Sequence, residues 1–233
     1  FLHRPCRKLR RVLVVSRTIL GDKHCVWGHT MSLEFFNRKH KMLNMDITHR
    51  CPLECVRCGR QTSFRNQGLA VPGHDLSLDD FEKITNHFSQ VSFCGQYSDP
   101  IHHPQFLDIL AICKKKNIQT EVHVASSFKS KKFFINAFKA HPEARWVFGI
   151  DGLPEESHKY RINQDGVKLF EIMLESKKHL KTIPHWQYII FKYNENSIDN
   201  AKLLAKEHNL DFMIINSARW IDKDDYLRPS IKG

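Results

Sequence analysis

From residue 42 onward the chain alternates short apolar runs with longer amphipathic stretches. The runs 43–48, 91–94, 120–125, 146–150, 186–191 and 212–215 are bounded by polar or glycine-bearing connections and predict six strands. Between them, Ser77 with Asp80 three residues on reads as a capping box opening a helix with Leu78, Phe81, Ile84 and Phe88. Pro104 predicts a second helix start, with Phe106, Leu110 and Cys113 on one face. Further helices are predicted over 131–140, 166–180 and 197–208. This βαβα alternation belongs to a parallel sheet, and right-handed crossovers wind six such strands into an open doubly wound sheet or part of a (β/α) barrel.

In either architecture chemistry gathers where the strands end. The sequence puts Cys51 after strand one, Gly95 to Asp99 after strand two and Ser126 and Ser127 after strand three. Asp151 follows strand four, and Lys192 and Asn194 follow strand five.

Composition narrows the class. With 233 residues and 41% hydrophobic positions the chain can bury one sizeable core, which excludes disordered and low-complexity classes and argues against two large domains. No run of about 18 apolar residues occurs, so a membrane-spanning helix is not expected. The net charge of +11 would suggest a nucleic-acid partner, but residues 1–30 hold Arg4, Arg7, Lys8, Arg10, Arg11, Arg17 and Lys23 against the single acid Asp22. More than half of the excess thus lies in a leader, and nucleic acid is not the expected partner of the remainder. Residues 1–30 read as a basic extension, either foreign to the native protein or an arm for an anionic partner, and 31–233 as the core domain.

Seven cysteines are present, and three crowd into eight positions as Cys51-x3-Cys55-x2-Cys58 in the run DITHRCPLECVRCGR. A disulfide framework scatters its pairs, so this spacing points to a metal site in a reducing compartment, the cytoplasm. One option is structural zinc with His49 as fourth ligand, in a non-catalytic binding module whose basic arm contacts nucleic acid; no second cysteine knuckle accompanies it. The other is an iron–sulfur cluster, where three thiolates leave one iron open to substrate or cofactor and so to catalysis. Cys94, ending an apolar strand, and Cys113, on an apolar helix face, read as packed thiols, so a single cluster is expected.

On this motif after a first strand, with βα units behind it, the chain resembles the radical S-adenosylmethionine (SAM) superfamily over roughly residues 42–216. The resemblance implies a partial (β/α)6 TIM-type barrel with parallel strands, in which Cys51, Cys55 and Cys58 hold a 4Fe-4S cluster. The open iron would bind S-adenosyl-L-methionine, and one electron would cleave it to a 5′-deoxyadenosyl radical for hydrogen abstraction, in an oxidoreductase or transferase. VSFCGQYSDPIHHPQF is similar to the family's glycine-rich segment, so Gly95 would let the backbone approach SAM and Asp99 would accept from its ammonium group. His102 and His103 read as surface residues. By the same resemblance Ser126 would face the SAM carboxylate or ribose, Asp151 would reach ribose or substrate, Arg161 would pair with the carboxylate, and Ile190 and Asn194 would lie near adenine and the rim. An electron donor such as flavodoxin or ferredoxin is implied, with a peptide or small-molecule substrate.

Two features depart from the family pattern. Arg57 stands before the third cysteine, where an aromatic residue touching adenine is common; its guanidinium plane could stack there instead. Relatives of the peptide-modifying and cofactor-maturing (SPASM-type) branch continue into a cysteine-rich C-terminal domain, so residues 31–233 read as a minimal core or a fragment of that branch.

Overall fold

The computed structural model describes residues 42–218 and 220–230. The leader, with Cys6 and Cys25, lies outside them.

Six strands form one sheet: β1 Leu43–Met45, β2 Gln90–Phe93, β3 Gln119–Val124, β4 Arg145–Gly149, β5 His185–Ile190 and β6 Asp211–Asn216. They pair in the order β1-β2-β3-β4-β5-β6, every pair parallel. A doubly wound sheet reverses its strand order at a switch point; this sheet never does, so the crossovers stack helices on one face and the sheet curls as a partial (β/α)6 barrel. The helices are α1 Gly59–Asn66, α2 Leu78–Thr85, α3 Phe106–Lys115, α4 Lys131–Ala140, α5 Gly166–Ser176 and α6 Ile198–Glu207.

Strand parity divides the interior. Val91 and Phe93, Val122 and Val124, Trp146, Phe148 and Ile150, and Trp186, Tyr188 and Ile190 are buried against Phe81, Phe106, Ile109, Phe134, Phe138 and Leu169 of the helices. Alternate residues take the concave face. That face is polar in its lower half: Ser92 donates to Glu121, which pairs with His123 (2.7 Å) and Arg145 (3.0 Å), and Arg145 Nε lies 2.8 Å from His185. The apolar weight of the fold therefore sits between sheet and helices.

Several local expectations change. The first strand ends at Met45 rather than residue 48, because the chain turns there and Thr48 forms an isolated antiparallel bridge with Asp75. Ser77 caps α2 by accepting from the Asp80 N–H, as the capping pattern predicts. Pro104 does not open α3. A 3-10 turn spans Pro100–His102 with Asp99 as its cap, and the helix begins at Phe106. The fifth helix ends at Ser176 rather than residue 180. Helix α1 was not foreseen; GRQTSFRN has no apolar stripe, and the one residue it buries is Arg60.

Candidate functional site

The cysteine loop leaves β1 at the C-terminal mouth of the barrel. Its turn is closed by the Cys58 N–H donating to the Cys55 carbonyl, and Cys58 is the residue from which α1 starts. Arg60, on the first turn of that helix, is 3% exposed and points back under the loop. Its guanidinium donates to the carbonyls of His49 (2.7 Å), Cys51 (3.0 Å) and Leu53 (3.4 Å). A loop carrying three thiols is thus braced from inside by a buried cation that supplies donors to three of its carbonyls. From the side, Glu54 and Val56 donate to the carbonyls of Ile162 and Tyr160 after β4.

Cys51, Cys55 and Cys58 are free thiols, partly exposed. Burial, reinforced by Asp99, pushes Cys51 up to about 12, and burial also raises Cys55, against the pull of Arg161. As free thiols both are therefore protonated at neutral pH, and a bound cation is what would bring them to thiolate. Soft donors on one braced loop fit an iron–sulfur cluster. Among the described residues no three His, Cys, Asp or Glu side chains gather about a single ion-sized point. His49 lies near the loop, its ring stacked on Tyr97 with centroids 6.4 Å apart.

The polar residues at the other strand ends are largely engaged with one another. Gly95 has φ +60, and a Cβ there would meet the Ser98 carbonyl oxygen at 3.2 Å, so the turn itself demands glycine. Asp99 is 3% exposed. Its Oδ2 accepts from the Ala125 (2.8 Å) and Ser126 (2.7 Å) N–H groups and its Oδ1 from Ile101 (3.3 Å), tying the end of β2 to the end of β3. Ser126 is fully buried, with its hydroxyl 2.8 Å from His102 Nε2.

Of the two histidines, His103 is buried and His102 half-buried. His103 is 2% exposed and bonds the Leu76 carbonyl, while burial, aided by Lys129 and Arg60, lowers His102 to about 4.

Asp151 and Arg161, assigned separate ligand roles by the resemblance, are each other's partner: Arg161 Nε stands 2.8 Å from Asp151 Oδ2, with the carboxylate fully buried and the arginine side chain 12% exposed. Asp151 Oδ1 also accepts from the Ile189 N–H, and the Arg161 guanidinium lies over Gly149, where a Cβ would meet Nη2 at 2.8 Å.

Ile190 lies on the helix-facing parity of β5. It is fully buried in the core against the helices, and its neighbour Ile189, one step out of phase, packs with the aromatic cluster that also takes Cys55 and Val56. Asn194 follows β5. It is fully buried and closes the turn after β5, its side chain accepting from Phe191 N–H and donating to the Ile189 carbonyl.

Arg57 is held by residues that follow β6. Its Nη2 pairs with Asp225 at 3.0 Å, and its guanidinium sits 5.7 Å from the Tyr226 ring centroid. Cys113 is buried as expected, but Cys94 is half-buried on the concave side, with Sγ 3.9 Å from Asp46 Oδ2. Sequence reasoning missed Arg60, Asp46 and Asp225. Only Arg60 left a signal, an arginine two residues after the third cysteine in a polar segment.

No protein-family profile matches the chain, and no curated protein matches it in sequence. Solved structures do match in shape. The chain is similar to Streptococcus suis SuiB bound to S-adenosylmethionine, with TM-score 0.65 at 14% identity over 85% of this chain and 46% of that one. SuiB bound to its precursor peptide SuiA matches with TM-score 0.62 at 15% identity, over 79% of this chain and 41% of that one. Methylornithine synthase (PylB) matches with TM-score 0.55 at 12% identity, over 78% of this chain and 55% of that one. These likenesses, all at 15% identity or below, show the fold: a partial (β/α)6 barrel of the kind found in SuiB and PylB. The chain spans less than half the length of SuiB.

Proposed function

We propose that this chain is the core of a radical SAM enzyme, with Cys51, Cys55 and Cys58 holding one 4Fe-4S cluster and S-adenosyl-L-methionine bound at the barrel mouth. The observation that carries the reading is the Arg60-braced loop: three free thiols on eight residues, at the C-terminal end of a six-stranded parallel barrel. Such a cluster, when bound, supplies the electron that cleaves SAM to methionine and a 5′-deoxyadenosyl radical.

The chain's own residues shape the chamber. Arg60 fixes the loop carbonyls so that the thiols keep their spacing. Asp99 locks the backbone of Ala125 and Ser126, and the positive φ of Gly95 sets the turn that follows β2. Arg161, held through Nε by Asp151, keeps a fixed cation beside Cys55 at the mouth, suited to a ligand carboxylate. The polar concave face, with Glu121, His123 and Arg145, favours a hydrogen-bonding substrate over an apolar one.

SuiB, matched with its precursor peptide bound, supports a peptide substrate for this chain as well. The reading also implies a flavodoxin- or ferredoxin-like electron donor and a reducing, cytoplasmic setting. No helix among the described residues is long and apolar enough to cross a membrane.

Anaerobic purification tests the assignment. A brown, oxygen-bleached protein with about four irons per chain is expected, the content of one cubane. Replacing any of the three cysteines by Ala should abolish the chromophore while preserving the helical signal. Colourless protein holding a single zinc would overturn the reading and favour a metal-stabilised binding module.

A further inference from the structure

The cysteine loop is gripped from outside by a segment 168 residues away. Asp225, after β6, has a side chain with no exposed surface. Its Oδ2 accepts from Arg57 (3.0 Å) and the Ile221 N–H (2.9 Å), and its Oδ1 accepts from the Leu227 N–H (3.0 Å). Leu227 packs with Tyr160 and Phe191 in the cluster that also takes Cys55, Val56, Ile189 and Trp220. Its carbonyl accepts from the Lys192 N–H, and the Ser230 N–H donates to Glu195, so the segment is pinned to the turn after β5. Among the described residues, Asp225 is the one carboxylate within 4.0 Å of the Arg57 guanidinium. Arg57 itself stands between Cys55 and Cys58.

We propose that Asp225 is a positioning residue of the cysteine loop: by neutralising Arg57 it locks the C-terminal segment over the loop and sets the net charge beside the thiol site. The inference rests on the proposed cluster reading and adds to it a specific electrostatic role for two residues outside the motif. A buried or half-buried charge left without its partner acts on its surroundings far more strongly than a solvated one. Reduction of a cluster adds negative charge. An uncompensated Arg57 cation would therefore ease reduction, and an uncompensated Asp225 anion would oppose it.

The test is the cluster reduction potential of reconstituted full-length protein. Asp225→Asn is expected to shift the potential upward, Arg57→Gln downward, and the double variant back close to the wild-type value, with Arg57→Lys near wild type. A merely structural clamp would move both single variants the same way, so shifts of one sign, or no shift in either, overturn the proposal.

A second readout needs no cluster. In apo-protein, Asp225→Asn should speed amide hydrogen exchange at residues 55–58 and 220–230 together. Acceleration confined to one segment would overturn the coupling. Wild-type protein that never takes up iron would defeat the cluster reading, while the exchange experiment would still decide whether Asp225 grips the loop.

Discussion

Asp99 Oδ2 stands 2.7 Å from the Ser126 backbone nitrogen and 2.8 Å from that of Ala125, so one buried carboxylate at the end of β2 holds the end of β3. The acid before proline that resembles a SAM ligand is first a structural pin. Any effect it has on a ligand passes in part through the backbone it fixes.

Asp99→Ala is therefore expected to cost stability as well as SAM affinity. It strands three buried or half-buried N–H donors, each worth about 1–3 kcal/mol when left unpaired, so a loss of roughly 3 kcal/mol or more is expected in urea unfolding. A variant as stable as wild type would show that these bonds do not carry the rim.

Asp151 and Arg161 form a second, largely buried pair whose single loss should be severe. Removing either partner leaves a charge without compensation, at about 3–5 kcal/mol. Asp151→Asn and Arg161→Gln should each lower the melting temperature markedly, and the double variant should lose less than the sum of the two. Strict additivity in the unfolding free energies would contradict a direct ion pair.

His102 predicts a pH dependence. Its folded value lies at about 4, lowered first by burial, against about 6.5 unfolded, so the folded state binds fewer protons between those limits. This group's contribution is intact above pH 6.5 and is lost as pH falls toward 4. Asp99, raised by burial to about 6, acts with the opposite sign over much of the same window. Comparing His102→Gln with wild type isolates the histidine. The variant should lose less stability than wild type between pH 7 and pH 4.5, and parallel pH curves would refute the assignment.

Gly166 offers a control outside the site. A Cβ there would meet the Pro154 carbonyl oxygen at 2.1 Å, a contact with backbone that cannot swing away. Gly166→Ala should destabilise the fold strongly, yet any folded fraction should still bind iron. Wild-type thermal stability in this variant would show that the loop before α5 can move.

What the sequence showed followed the range of the interactions. Apolar runs such as 146–150 and 186–191 are local, and they located the strands because a buried parallel strand needs little else. The cysteine spacing was equally local. The partners of the polar residues were not, since they depend on strand register and on distant segments. Asp151 and Arg161 were both singled out, but their 2.8 Å contact is made only when the turn after β4 folds back over Gly149. Arg57 could not be read without Asp225. Ile190 shares the helix-facing parity of Trp186 and Tyr188, and Ile189 the concave parity of Gln187; the unbroken apolar stretch 188–191 does not by itself say which parity faces the helices. Asn194 sits beyond a strand end, where polarity suggested a rim, yet its amide is consumed by its own turn.

Under the proposed function, the braced cysteine loop makes this barrel a SAM-cleaving centre. The most direct measurement is chromatographic detection of 5′-deoxyadenosine after anaerobic, reconstituted protein is reduced with dithionite in the presence of SAM. The account predicts 5′-deoxyadenosine and methionine even without substrate, and none from the Cys51→Ala, Cys55→Ala or Cys58→Ala proteins. No deoxyadenosine from iron-loaded wild-type protein under any reductant, or equal amounts from the cysteine variants, would contradict it.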